Sequence, residues 1–103
     1  MTNQHPRTAI VTGASKGIGA AIARRLARDG VAVVVNYARG RAEAEELARA
    51  IEADGGKAIA VQADIADPTG VAALFDAGET AFGGIDILVN NAGIMKLSPI
   101  AQT

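Results

Sequence analysis

The chain has no cysteine, so no disulfide or thiolate ligand holds it together. That suits a reducing compartment, the cytoplasm by default. Aromatic residues are 3% of the total although 50% are hydrophobic. The core must therefore be built of Ala, Val, Ile and Leu with helices and strands approaching closely, a profile that suits a helix-covered parallel sheet. Charge of one sign is also lacking. Ten basic residues against eleven acidic ones leave a net charge of −1, and without a basic stripe neither nucleic acid nor an anionic membrane is an expected partner. No apolar run is long enough to cross a bilayer, and residues 1–7 are polar, unlike a signal-peptide core. The single histidine, His5, stands alone ahead of the first apolar run, and no cluster of His, Asp and Glu has the spacing of a metal site. At 103 residues the chain is one small domain or a piece of a larger one, short for an enzyme that holds both cofactor and substrate.

What is present is an alternation. Residues 8–11, 32–36, 58–62 and 85–90 are short aliphatic runs that read as buried strands, with Val33-Val34-Val35 the clearest. Between them the period lengthens. Ile18, Ile22 and Leu26 recur every four residues, Ala44, Leu47, Ala48 and Ile51 follow an amphipathic helix, and Val71, Leu74, Phe75 and Phe82 share one side of a third. Asp67 is placed to cap that third helix and Pro68 suits its first position. Gly30 and Gly55-Gly56 stand where the first two helices should end in left-handed turns. Gly78 falls inside the third helix, where it should cost about 1 kcal/mol relative to alanine. The order β-α-β-α-β-α-β predicts right-handed crossovers and a doubly wound parallel sheet of strand order 3-2-1-4. Its crevice opens at the carboxyl ends of strands one and four, and strand four is left as a hydrophobic edge that more chain or a partner would have to cover.

At the first strand-to-helix junction the sequence reads Thr12-Gly13-Ala14-Ser15-Lys16-Gly17-Ile18-Gly19. Glycines there let the backbone turn sharply and approach an anion, while unpaired amides and the positive end of the helix dipole attract it. A dinucleotide diphosphate fits such a place; glycines that merely punctuate a loop are the bland alternative.

The spacing Thr12-Gly13-x-x-x-Gly17-x-Gly19 resembles the T-G-x-x-x-G-x-G signature of the short-chain dehydrogenase/reductase family. Asn90-Asn91-Ala92-Gly93 resembles that family's N-N-A-G after strand four, and Asp64-Ile65 its acid and aliphatic pair after strand three. The resemblance runs from Arg7 to Pro99 and looks most like the branch that holds the 3-oxoacyl-(acyl carrier protein) reductases. It implies a Rossmann-type sheet, with the whole chain, 1–103, as the N-terminal dinucleotide-binding part of one domain, cut short before the catalytic region. It also implies that Gly13, Ser15, Lys16, Gly17, Ile18 and Gly19 surround the diphosphate. Asp64 would accept from the adenine amino group, Ile65 would pack near its ring, and Asn90, Ala92 and Gly93 would line the ribose next to the nicotinamide. Two structural readings stay open beside these: Asn90 or Asn91 tying neighbouring strands, and Asp64 as a solvated or helix-capping acid.

An acid preferring NAD would normally stand after strand two. Here Asn36-Tyr37-Ala38-Arg39 carries none. Tyr37 falls on the adenosine side, and Arg39, with Arg41 as a further candidate, can pair with a 2′-phosphate, as can Lys16 in the glycine loop. NADP(H) is therefore favoured over NAD(H), although both arginines can equally begin the solvated face of helix two. The family's catalytic tyrosine, with a lysine four residues later, has no counterpart here, because Tyr37 is followed at that spacing by Arg41. The resemblance thus implies a carbonyl–alcohol oxidoreductase acting on a small molecule as a homodimer or homotetramer, with this chain supplying cofactor binding and no catalytic residue. The alternatives are a truncated noncatalytic dinucleotide-binding or interaction module, and a methyltransferase, which the N-N-A-G segment disfavours.

Overall fold

The computed structural model describes residues 7–91; Ala92, Gly93 and His5 lie outside them. Four strands, β1 (Thr8–Val11), β2 (Ala32–Tyr37), β3 (Ala58–Gln62) and β4 (Ile87–Val89), alternate with helices α1 (Gly17–Arg28), α2 (Arg41–Ala53) and α3 (Pro68–Phe82). The strands are all parallel in the order β3-β2-β1-β4, the doubly wound arrangement expected from the alternation.

The sheet is buried on both faces at its centre. Val33, Val34 and Val35 are each fully enclosed, and because side chains alternate along a strand they serve opposite sides. Val33 and Val35 join Val11, Ala23, Leu47 and Ile51 beneath α1 and α2, whereas Val34 joins Ile10 and Leu74 beneath α3. Each such valine contributes roughly 1.5–3 kcal/mol by leaving water. The scarcity of aromatic side chains is met by close approach. A side chain at Gly78 would run into the Ile85 side chain and stand 3.3 Å from Cγ2 of Val34, so the glycine that weakens α3 as a helix lets it settle on the sheet.

The helix ends follow the glycines. Gly30 and Gly55 have φ of 90° and 93°. Val31 N donates to Leu26 O, and Gly56 N to Ile51 O, closing both helices in the left-handed turn that only glycine enters without strain. At the other pole Asp67 accepts from Thr69 N at 3.0 Å and Pro68 opens α3.

Two boundaries differ from expectation. β2 runs one residue further, to Tyr37, and β4 is shorter than 85–90. Ile85 leaves the strand to pack toward α3, and Asp86 fastens the strand's start instead: its carboxylate Oδ2 accepts from Thr8 N and its own N–H donates to Thr8 O, each at 2.9 Å. Leu88 on β4 is 53% exposed.

Candidate functional site

The carboxyl ends of the strands gather the residues that the sequence singles out. β1 delivers Thr12 and Gly13, β2 delivers Asn36 and Tyr37, β3 leads into Asp64, and β4 into Asn90 and Asn91. The crevice between β1 and β4 has a fixed floor. Thr12 N donates to Val89 O at 3.0 Å, the Thr12 hydroxyl reaches Asn90 Oδ1 at 3.3 Å, and Asn91 Nδ2 donates to Gly13 O at 3.1 Å. Asn91 is buried, at 6% exposure, so its amide fastens the glycine loop to β4, the strand-tying role rather than a contact open to a ligand. Asn90 is exposed.

The three glycines of the loop act for different reasons. Gly13 and Gly17 have φ of 59° and 67°, a region that other residues enter only with strain. Gly19 has no such φ; a side chain there would stand 2.5 Å from Gly13 O, 2.8 Å from Asn91 Nδ2 and 2.9 Å from Ala14 Cα. It lets α1 pass directly over the start of its own loop. Lys16 occupies the N-cap of α1 and supplies no side-chain cap, unlike Asp67 on α3. The first amides of a helix have no partner within it, so the end of α1 presents N–H donors and a partial positive charge with no carboxylate or hydroxyl of its own to occupy them. Ile18, the first of the residues recurring every four along α1, is 64% exposed beside these amides. Lys16 is exposed and Ser15 half-buried.

A second loop closes on the first. Gly40 has φ of 88°, and a side chain on it would stand 3.0 Å from the Ser15 Oγ. The turn after β2, with the exposed Arg39, therefore rests against the glycine loop. Tyr37 is 3% exposed and its ring belongs to the core under α1 and α2, while its hydroxyl accepts from Arg41 Nε at 3.3 Å. That bond, followed by the charges of Tyr37 and Glu45, holds the Arg41 pKa above its usual value. Arg41 also lies 3.9 Å from Glu45; of the two arginines, Arg41 is the one engaged within the protein by these contacts.

Asp64 is exposed and its Oδ1 accepts from Ala66 N at 2.9 Å. The helix cap is Asp67, not Asp64. Gly70 lets the first turn of α3 close over the Asp64 carbonyl, which a side chain would strike. Ile65 is half-buried against Ile10, Val34 and Leu74.

Two contributors were not singled out by sequence reasoning. Asn36, 2% exposed, binds the glycine loop and β3 at once, and Gly40 seats the β2–α2 turn on Ser15. An asparagine interrupting an otherwise aliphatic strand was the signal for the first. A glycine opening α2 in place of a capping side chain was the signal for the second.

The uncapped N-terminus of α1 is suited to an anion. Among the described residues no group of three His, Cys, Asp or Glu could hold a metal ion, and no helix is long and apolar enough to cross a membrane. A groove of about 500 Å³ lies at the opposite end of the sheet, lined by Arg28, Gly30, Gly56 and Lys57 among others. It faces the carboxyl ends of α1 and α2, which offer carbonyls rather than free N–H donors. Ligands of open parallel sheets collect instead at the carboxyl ends of the strands, so the glycine-loop end is the better candidate.

The profile of the short chain dehydrogenase family matches residues 7–103. The chain is 55% identical over 93 residues to 3beta-hydroxysteroid dehydrogenase 1 of Eggerthella lenta, covering 90% of this chain and 36% of that protein. It is 46% identical over 90 residues to 3-oxoacyl-[acyl-carrier-protein] reductase FabG of Staphylococcus aureus, covering 87% of this chain and 37% of the reductase. The crystal structure of a hydroxysteroid dehydrogenase from Escherichia coli superimposes with a TM-score of 0.78 at 37% identity, over 84% of this chain and 36% of that one. The chain thus spans little more than a third of the length of these relatives.

Proposed function

The chain belongs to the short chain dehydrogenase family, a family of oxidoreductases, and from that premise we propose that it binds the cofactor of an NADP(H)-dependent enzyme interconverting a carbonyl and an alcohol. The observation that carries the reading is the end of α1. Its N-cap contributes no side-chain hydrogen bond, the loop before it turns through two positive-φ glycines, and Lys16 and Arg39 stand exposed beside it. When bound, the dinucleotide supplies hydride transfer at its nicotinamide. The residues of this chain bind and orient it. The amides from Ser15 to Gly19 receive the diphosphate, Ile18 offers an apolar surface, and Asp64 and Ile65 flank the adenine. Asn90, with Ala92 and Gly93 outside the described residues, flanks the nicotinamide ribose.

Arg39 is the proposed partner of a 2′-phosphate, because residues 38–41 directly after β2 hold no carboxylate and Arg41 is engaged by Tyr37 and Glu45. Tyr37 is given no proton-transfer role, since its hydroxyl is held by Arg41 and its strand, β2, is separated from β4 by β1. Proton transfer belongs to residues other than these. A small carbonyl or alcohol substrate, a homodimeric or homotetrameric assembly and a cytoplasmic location complete the proposal.

Titration of the protein carrying this chain with NADPH and NADH, followed by nicotinamide fluorescence, tests it. NADPH should bind the more tightly, and Arg39→Ser should weaken NADPH about tenfold while leaving NADH nearly unchanged, as loss of one charge-assisted bond at an exposed site implies. Tighter binding of NADH by the unmodified protein would contradict the assignment of Arg39.

A further inference from the structure

Asn36 lies inside β2 at 2% exposure, directly after three fully enclosed valines. A fourth valine would suit the strand's burial, whereas a buried amide is costly unless its polar atoms are paired. They are paired on two sides. Nδ2 donates to Val61 O at 3.3 Å and to Ala63 O at 3.2 Å, while Oδ1 accepts from Gly13 N at 3.4 Å. The main chain adds a fourth link, Ala14 N to Asn36 O at 2.9 Å. The side-chain bonds are long, yet together they link the glycine loop to the residues leading into Asp64, which the main chain connects only through β2, by Ala14 N to Asn36 O and Ala63 N to Tyr37 O.

We propose that Asn36 is a positioning residue for the dinucleotide, locking the glycine loop to the end of β3 so that the diphosphate and adenine subsites keep a fixed separation. The inference rests on the cofactor reading above and deepens it. Its geometric content is specific. With its N–H turned toward Asn36 and its carbonyl toward Asn91, the Gly13 main chain is spent on holding the loop, and the anion is left to the amides from Ser15 onward. Ala63, whose carbonyl Asn36 holds, directly precedes Asp64, so the same amide sets where the adenine-side turn begins.

The test uses the protein carrying this chain, with Asn36→Ala and Asn36→Asp. The aspartate keeps the volume and the acceptor for Gly13 but sets an oxygen against the carbonyls of Val61 and Ala63. Both variants, while folded, should bind NADPH and adenosine 2′,5′-bisphosphate about tenfold more weakly by calorimetric titration, and in Asn36→Ala amide exchange should quicken at Gly13 while Val33–Val35 stay protected. Unchanged affinity in a folded variant overturns the role of Asn36 alone. If neither variant folds, the unmodified protein decides. Its Gly13 amide should be protected equally with and without NADPH, and protection that arises only on adding NADPH overturns the proposal because that N–H then serves the ligand. A wild-type protein that binds neither NADPH nor the bisphosphate overturns the cofactor reading itself.

Discussion

Glycine at position 19 shows how one missing methyl group sets the site. The carbonyl of Gly13 and the Cα of Ala14 are main-chain atoms and cannot swing aside, so a Cβ at the distances the structure imposes, 2.5 and 2.9 Å, must push α1 away from its loop. Gly19→Ala is therefore expected to destabilise the fold by about 1–3 kcal/mol, the usual cost of overpacking, despite alanine's better helix propensity, and to weaken dinucleotide binding. Urea denaturation checks the first effect; a variant at least as stable as the parent would show that the contact relaxes freely. The glycines were legible in the sequence because their spacing is a motif, but their separate causes were not. Positive φ at Gly13 and Gly17 and close approach at Gly19 are indistinguishable as letters. Asn36 and Asn91 were harder still, since a side-chain amide gives no sign of whether it faces a ligand or a neighbouring strand until the strands are in register.

Helices and strands were the more readable level, and the reason is punctuation. α1 and α2 end where Gly30 and Gly55 turn left-handed, and α3 begins where Asp67 and Pro68 supply a cap and a preset φ. Asp67→Ala should cost about 1 kcal/mol by leaving the first amides of α3 without their acceptor, measured as a lower urea midpoint with an unchanged slope. No loss of stability would mean that the cap on this solvent-facing turn is replaced by water at no cost. β4 was read too long, because Ile85 and Asp86 continue the aliphatic alternation in the sequence while their contacts belong elsewhere. Ile85 fills the space left by Gly78, and Asp86 clamps Thr8. Periodicity records burial, and a residue buried by a neighbouring helix reads the same as one buried in a strand.

At the scale of the whole molecule, the strand order 3-2-1-4 brings the N-terminus of α1, the turn after β2 and the end of β4 to one end of the sheet, while a groove of about 500 Å³ lies at the opposite end between α1 and α2. The free amides at the start of α1 favour the first end for an anion. The most direct test is the map of backbone amide shifts on adding NADPH to isotope-labelled protein carrying this chain. The account predicts that the largest changes fall on residues 15–19 and on Arg39, with residues 30–32 and 55–57 unmoved. Changes concentrated on that second group, with the glycine loop silent, would contradict it.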